Sequence, residues 1–345
     1  MMYNKTTSPR QTNMELLRLL AMLMILVGHA LFFNYPDSQQ IGNAPMLPFL
    51  MFQFKGLSVC SVDVFVLISG WFGIRYKAER LLSLVFQTLF FTVLVYTTLA
   101  IWKPIQYLNL DALSTIILFH SEDLWFIKAY IGMYLFAPLL NKYIDTATEK
   151  QLRYFIIVFY SFQTIYGWLN LYGAHWFEGG FSMVSFLGLY ILARYVRLHL
   201  SINKGKYFFL YVYLIIGFGL GLISFMLAAF DIKIYGRLLT YTDPLVIIEG
   251  VCLVIFFSKL NIQCKFINYV AASCLAIYLL HANELVLRPY YFGQIKQWAN
   301  ENTIMQTFTY SILWISSFAA ASILLDQIRK MIWKSLENLF LKKVR

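Results

Sequence analysis

The sequence predicts an all-α protein that crosses a lipid bilayer about ten times, with both termini on the cytoplasmic side. Of the 345 residues, 60% are hydrophobic and only 13% are charged, whereas about 45–50% and about 25% are usual for soluble domains. The apolar residues are grouped in runs of about 20, the length of a helix that crosses the hydrocarbon core. Lys and Arg gather in alternate loops between these runs, which is the asymmetry that orients membrane proteins.

Ten apolar runs qualify as membrane spans on this criterion. They cover residues 14–33, 48–74, 81–102, 124–144, 152–172, 179–197, 207–229, 238–258, 265–287 and 305–327. Residues 1–330 then form a single integral-membrane domain. Residues 331–345 form a basic amphipathic tail, which we expect on the inner leaflet.

The charge pattern indicates a membrane location rather than a nucleic-acid partner. The net charge is +11, but the basic residues flank apolar runs and do not form one face of a soluble domain. Most of the 28 Lys and Arg residues fall in the loops that share a side with the N-terminus. We therefore expect a multi-pass protein of the cell membrane. The four cysteines have no CxxC spacing and no histidine neighbours, so no metal site is predicted.

The first span contains two ionisable residues, Arg18 and His29. A charged side chain inside a membrane span costs about a few kcal/mol or more, so each such residue needs a structural or functional explanation. Eleven residues turn a helix by about 20° more than three full turns, which places both side chains on one face. The rise between them is about 16 Å. This face therefore presents a permanent cation near its cytoplasmic end and an imidazole near its outer end.

The second span contains Asp63, followed by Ser69 and Gly70 and then by a basic cluster. A carboxylate inside the membrane pairs with a cation or lines a wet cavity. Arg18 is the expected partner because it lies at a similar depth. Asp63 is therefore assigned to a structural ion pair, with direct contact to a substrate as the alternative.

The ninth span places His281 and Glu284 near its outer end, three residues apart. Residues at that spacing are neighbours on a helix surface, and His29 lies at a similar depth. The two histidines and the carboxylate are predicted to meet as an acid–base cluster.

At the start of the fourth span, Trp125 follows a group of polar residues, and its favoured role is structural, in the aromatic belt at the membrane interface. The polar group comprises His120, Glu122 and Asp123, with Lys128 just beyond. Glu249, in the eighth span, has no partner that the sequence identifies.

Several of these segments resemble the integral-membrane acyltransferase-3 family. Arg18 and His29 form an R-x10-H element, and SVDVFVLISGWF is similar to the SVDxFFxxSG signature that follows that element in the family. LWFIKAYIGMYLFAPLLN and IYLLH resemble two later family segments in the right order. The resemblance covers about residues 14–290, and it departs from the common pattern at Ala282–Asn283.

The resemblance implies a ten-helix enzyme that transfers an acetyl or other short acyl group from acyl-CoA to a hydroxyl. The acceptors it implies are extracytoplasmic glycans, such as capsule, exopolysaccharide or O-antigen, or a lipid-linked sugar precursor. Acetyl-CoA is then a substrate, no permanently bound cofactor is expected, and other polysaccharide-synthesis proteins are potential partners.

The spacing suggests roles for the candidate residues in such a transfer. Arg18, assisted by Arg75 or Arg80, would hold the phosphates of CoA, and Ser69 and Gly70 belong to the same donor site. His29 would act either as general base on the acceptor hydroxyl or as a nucleophile that forms an acyl-imidazole. The sequence does not separate these two routes.

Two other classes of protein also combine many apolar spans with ionisable residues inside them. A transporter or channel for a lipid-linked glycan or a small solute also has many spans and intramembrane charges. A membrane scaffold within a polysaccharide-synthesis complex would have the same pattern but an inactive site.

Overall fold

The computed structural model describes residues 11–31, 38–117, 124–169 and 176–340, which form helices joined by short turns, without strands. The helices are α1 (Thr12–Leu31), α2 (Ser38–Asn43), α3 (Met46–Ser58), α4 (Ser61–Phe72), α5 (Ala78–Trp102), α6 (Pro104–Tyr107), α7 (Leu110–Ser114), α8 (Trp125–Thr146), α9 (Glu149–Phe162), α10 (Met183–His199), α11 (Lys206–Ala229), α12 (Tyr235–Leu238), α13 (Pro244–Ser258), α14 (Lys265–Ala271), α15 (Cys274–His281), α16 (Glu284–Val286), α17 (Gly293–Glu301) and α18 (Ile304–Phe340). Short π-helical segments cover Gln163–Trp168 and Leu287–Phe292.

Five of the described helical segments are long and apolar enough to cross a membrane. They are Thr12–Ala30, Met46–Phe72, Ala78–Trp102, Lys206–Ala229 and Met305–Glu337. A bent pair of helices makes up to six, and α13 is a shorter apolar helix. The all-α membrane architecture is therefore confirmed, whereas the number of ten spans and the side of each terminus stay predictions.

The described residues form two apolar clusters, and α1 belongs to both. Met14 and Leu17 pack into a cluster with α3, α4, α10 and α13. Met22 and Leu26 pack into a second cluster with α5, α15 and the π-helical segment after Val286. Because α1 contacts helices of both clusters, its side chains lie at the boundary between them.

Helices α3 and α11 approach each other through glycines. A Cβ on Gly56 of α3 would collide with the backbone of Gly217 and Gly221 on α11. A Cβ on Gly221 would lie 2.7 Å from the carbonyl oxygen of Phe52. Gly217 and Gly221 have the GxxxG spacing that lets membrane helices pack with their backbones close together.

The predicted ninth span is not one continuous helix. α15 ends at His281, and the side chain of Asn283 accepts a hydrogen bond from the N–H of Leu285 and so caps the next helix. The segments Lys265–His281 and Glu284–Glu301 meet at an angle of 61°. The chain bends at Ala282–Asn283, the position at which the sequence departs from the family pattern.

The last helix runs without a break from the predicted tenth span into the predicted tail, since α18 continues to Phe340. Asp326 on α18 is fully buried and forms ion pairs with Arg329 and Lys330, both at 2.9 Å. It also accepts hydrogen bonds from Ser273 at 2.8 Å and from Gln87 at 3.1 Å. This polar network joins α18 to α5 and to the turn between α14 and α15.

The glycine contact gives a matched pair of substitutions on one helix. Gly221→Ala should destabilise the protein by about 1–3 kcal/mol, because the new methyl group overlaps the backbone of α3. Gly219→Ala adds the same methyl group where nothing lies within 4 Å, and it should leave stability unchanged or raise it by about 0.5–1 kcal/mol. Unfolding in mixed micelles with increasing denaturing detergent measures both. Equal effects of the two substitutions would contradict the close α3–α11 approach.

Candidate functional site

A cavity of about 610 Å³ lies between the two apolar clusters, a size usual for small-molecule sites. One stripe of α1 faces it, formed by Arg18, Met22, Ile25 and His29. These positions are separated by three or four residues, which places them on a single helix face. The guanidinium and the imidazole that the sequence predicts to share a face therefore line the same cavity.

Two histidine rings meet at one end of this cavity. His29 Nδ1 lies 3.1 Å from His281 Nε2, and His281 Nδ1 lies 2.7 Å from the carbonyl oxygen of Ile277. His29 lines the cavity, whereas His281 is fully buried behind it. The rings belong to α1 and α15 and are 252 positions apart in the sequence.

The hydrogen bonds fix the tautomers of the neutral rings. A carbonyl oxygen only accepts, so His281 donates its Nδ1–H to Ile277 and presents Nε2 as an acceptor. His29 then donates its own Nδ1–H to His281. The lone pair of the neutral His29 ring is therefore on Nε2, as a general base requires.

The opposite end of the cavity is basic. Arg18 is paired with Glu15 at 2.9 Å, and Arg80 of α5 also lines the cavity. Arg75 is exposed and does not line it. Of the two predicted assistants to Arg18, only Arg80 is in position to act on the same ligand.

Asp63 does not form the predicted ion pair with Arg18, which pairs with Glu15 instead. The residues of α4 that face the cavity are Val62, Phe65 and Ser69, at helical spacing. Asp63 lies about 100° further around the helix than Val62 and faces α13, where its Cβ lies beside Gly250. The carboxyl group is buried, and its Oδ2 has no hydrogen-bond partner among the described residues. Depth alone therefore predicted the wrong partner.

The rotation of about 100° per residue along α4 also turns Ser69 and Gly70 towards different neighbours. Ser69 lines the cavity, with its hydroxyl 3.2 Å from that of Tyr130. Gly70 faces α10, where a Cβ would lie 2.6 Å from the carbonyl oxygen of Tyr190. Gly70 is thus a helix-packing position and not part of the predicted donor site.

Glu284 is separated from the histidine pair by the end of α15. It occupies the first turn of α16, after the capping residue Asn283, and it does not line the cavity. The prediction that it neighbours His281 on one helix surface is wrong because no continuous helix contains both. His120, Glu122 and Asp123 lie outside the described residues, and Lys128 does not line the cavity.

Two further features of the cavity differ from the sequence prediction. Trp125 lines the cavity, which is not the place of a residue in a lipid-facing belt. Lys55 of α3 also lines it and is close enough to His29 for the two groups to interact electrostatically. A lysine within an apolar span is itself a signal of function, and this signal in the sequence could have identified Lys55.

The lining of the cavity favours an anionic ligand. Arg18, Lys55 and Arg80 contribute positive charge, and no carboxylate of the described residues lines it. The described residues contain no group of three or more His, Cys, Asp or Glu side chains that could hold a metal ion.

Comparison with known families agrees with this architecture. Residues 11–326 match the profile of the acyltransferase-3 family, described as an acyltransferase domain. The match begins just before α1 and ends at Asp326, within α18. The chain therefore belongs to the acyltransferase-3 family, whose members are membrane acyltransferases. No curated protein and no solved structure matches the chain significantly.

The cavity predicts that cysteines introduced at two nearby positions on α5 react with a thiol reagent at different rates. Leu84 lines the cavity, whereas Leu82 does not. Leu82 is exposed on the outer surface of the candidate span Ala78–Trp102, where we expect its surroundings to be lipid and not water. A thiol reacts as the thiolate, which forms readily only in contact with water. Leu84→Cys should therefore react at least about tenfold faster with a small charged thiosulfonate than Leu82→Cys does. Mass spectrometry of the labelled peptide locates the reaction, and equal rates would indicate that no water-filled cavity reaches Leu84.

Proposed function

We propose that the protein is a membrane-embedded O-acyltransferase. It transfers an acetyl or other short acyl group from cytoplasmic acyl-CoA to a hydroxyl of an extracytoplasmic polysaccharide, or of its lipid-linked precursor. The observation that carries this proposal is a single cavity with Arg18 and Arg80 at one end and the hydrogen-bonded His29–His281 pair at the other. The positive-inside pattern of the sequence supports a cytoplasmic location for the arginine end of the cavity.

The basic end of the cavity suits the nucleotide part of acyl-CoA. Guanidinium groups bind phosphate oxygens through paired charge-assisted hydrogen bonds, and Arg18 and Arg80 both face the cavity. Along α1 the distance from Arg18 to His29 is about 16 Å, which suits an extended pantetheine arm. Met22 and Ile25 line the cavity between them, so the thin arm passes an apolar surface.

The histidine end suits the transfer step. His29 accepts the proton of the acceptor hydroxyl while the hydroxyl oxygen bonds to the thioester carbonyl carbon. The C–S bond then breaks, and His29 returns the proton to the CoA thiolate. In the alternative route the ring nitrogen of His29 attacks the thioester carbonyl, and the C–S bond breaks to release the CoA thiolate. The acceptor hydroxyl then attacks the acyl-imidazole, the C–N bond breaks, and the hydroxyl proton passes to the thiolate. In both routes Lys55 contributes positive charge near the developing oxyanion.

The bend of 61° between Lys265–His281 and Glu284–Glu301 is also a feature of transporters, which use broken helices to build binding sites. A vesicle assay distinguishes the two classes of protein. Labelled acetyl-CoA on the cytoplasmic side yields labelled glycan if the protein is a transferase. Movement of glycan across the membrane without acetyl-CoA indicates a transporter. If His29→Ala has no effect although deletion does, the protein is a scaffold.

Substitutions at the two ends of the cavity should affect transfer in different ways. His29→Ala should lower kcat by about 10²–10⁴-fold, because the general base is lost. Arg18→Ala should lower kcat/KM for acetyl-CoA by about 10–100-fold, because a phosphate contact is lost. Transfer of labelled acetyl groups into the glycan fraction of membrane vesicles measures both.

Two controls accompany these variants. Arg75→Ala removes an exposed arginine of the same basic cluster and should leave transfer unchanged. Glu15→Gln removes the partner of Arg18 while keeping the guanidinium, which separates loss of the ion pair from loss of phosphate binding. Near-normal transfer by His29→Ala would refute the assigned role of His29.

His281 is expected to act through His29, since it is buried behind that ring. His281→Ala should lower kcat by roughly 100-fold with little change in the KM for acetyl-CoA, because the His29 ring loses the acceptor that orients it. His281→Asn, whose amide oxygen also accepts a hydrogen bond, should restore part of the activity. A rise in KM without a fall in kcat would instead indicate that His281 belongs to the donor site.

A further inference from the structure

Three aromatic side chains line one part of the cavity, and together they form what we call the aromatic wall: Trp125, Phe181 and Tyr241. The ring centroids of Trp125 and Phe181 are 4.4 Å apart, and those of Phe181 and Tyr241 are 5.2 Å apart. Trp125 and Tyr241 are stacked at 6.0 Å with an angle of 26° between their planes. Phe181 is tilted by 62° to Trp125 and by 52° to Tyr241, so the three rings form one connected cluster in which Trp125 and Tyr241 are nearly parallel.

The aromatic wall lies at the His29 end of the cavity. Asn13, at the start of α1, donates a hydrogen bond to the carbonyl of Phe257, at the end of α13. His29 is in the last turn of α1, and Tyr241 precedes the first turn of α13. Both are therefore at the end of the bundle opposite to this contact.

The contacts of helix α8 indicate that Trp125 also lies at the end of the bundle that contains His29. Asn141, in the second half of α8, donates a hydrogen bond to the carbonyl of Ile74, which follows the end of α4. Trp125 is the first residue of α8 and lies about 24 Å from Asn141 along the helix. The wall is therefore separated from Arg80, which follows the basic turn after α4, and from Arg18, which lies in the first half of α1, away from His29.

The chain builds this wall with a turn that requires glycine. Glu178, Gly179 and Gly180 all have positive φ angles, of 46°, 64° and 102°, a region that residues with a side chain rarely adopt. A Cβ on Gly180 would overlap the side chain of Tyr241. The absence of a side chain at Gly180 lets the turn before Phe181 come close to Tyr241.

The rings retain exposed surface in spite of their mutual contacts. Phe181 is 43% exposed, and Trp125 and Tyr241 are half-buried. The face of an aromatic ring has a negative potential, which attracts the positively polarised C–H groups on one face of a sugar ring. Lys55 lines the same cavity and adds a donor for hydroxyl oxygens.

We propose that the aromatic wall is the acceptor subsite and that it binds a pyranose ring by stacking on Trp125, next to His29. This proposal rests on the proposed function, because it names the part of the cavity that holds the acceptor in acyl transfer. The adenine of acyl-CoA is the other planar or ring-shaped candidate, but it is joined to the phosphates and so belongs at the Arg18 end.

Binding of free sugars tests this without any acyl transfer. The protein in nanodiscs is titrated with methyl pyranosides of glucose, galactose, mannose, rhamnose and N-acetylglucosamine, and saturation-transfer NMR detects binding. At least one pyranoside should bind the unsubstituted protein. Trp125→Ala should raise its Kd about tenfold, because the stacking surface is removed, and Trp125→Phe should raise it less.

Trp176→Ala is the matched control. Trp176 is 66% exposed, stacks on Phe162 at 5.9 Å and does not line the cavity, so its loss should leave pyranoside binding unchanged. Binding of labelled acetyl-CoA is measured on the same samples, and Trp125→Ala should retain it, which also shows that this variant is folded.

Three results would overturn the proposal. The first is that no pyranoside of the panel binds the unsubstituted protein. The second is that Trp125→Ala binds the pyranoside as the unsubstituted protein does. The third is that Trp125→Ala weakens acetyl-CoA and pyranoside binding equally, which would place the donor at the wall. The proposed function would be contradicted by a different result, namely that Arg18→Ala binds acetyl-CoA as the unsubstituted protein does. The measurements of pyranoside binding can be interpreted independently of that result.

Discussion

The hydrogen bond between the rings of His29 and His281 joins the first helix of the chain to one near its end, and the arrangement of the cavity depends on it. A polar ring in a membrane interior is costly to bury without a partner, so each histidine stabilises the position of the other. The carbonyl of Ile277 then sets the direction in which the protons point. α1 thereby occupies the boundary between the two apolar clusters and presents its polar stripe to the space between them.

The class of fold was predictable because composition alone excludes a soluble protein. The number of spans was less accessible, since five described helices, or six with the bent pair, meet the criteria of length and hydropathy. α13 shows why: it has only 15 residues, and its side chains are mostly buried by other helices. A helix that lies inside a bundle can be apolar all round and yet shorter than the helices that cross the whole hydrocarbon layer. Hydropathy therefore identifies α13 as an apolar helix, and its length alone excludes it from the count of spans.

The sequence predicted which ionisable residues share a face, but not what each face contacts. The spacing of Arg18 and His29 placed both on one stripe of α1, and both line the cavity. Asp63 and Gly70 lie one residue away from the cavity-facing positions of α4, and that single step turns them towards other helices. Glu284 was misplaced because a cap at Asn283 divides the helix. Such errors of phase arise wherever depth is known and the neighbouring helix is not.

The buried ion cluster on α18 has a consequence for the way the protein meets the lipid. α18 has 37 residues and is about 55 Å long, whereas the hydrocarbon layer is about 30 Å thick. From Ile304 to Asp326 the helix rises about 33 Å, which nearly matches that layer. Asp326 is also held by Gln87 and Ser273, so α18 cannot slide to follow a thinner or thicker membrane. Hydrophobic mismatch must then be absorbed by the lipid or by tilting of the whole bundle.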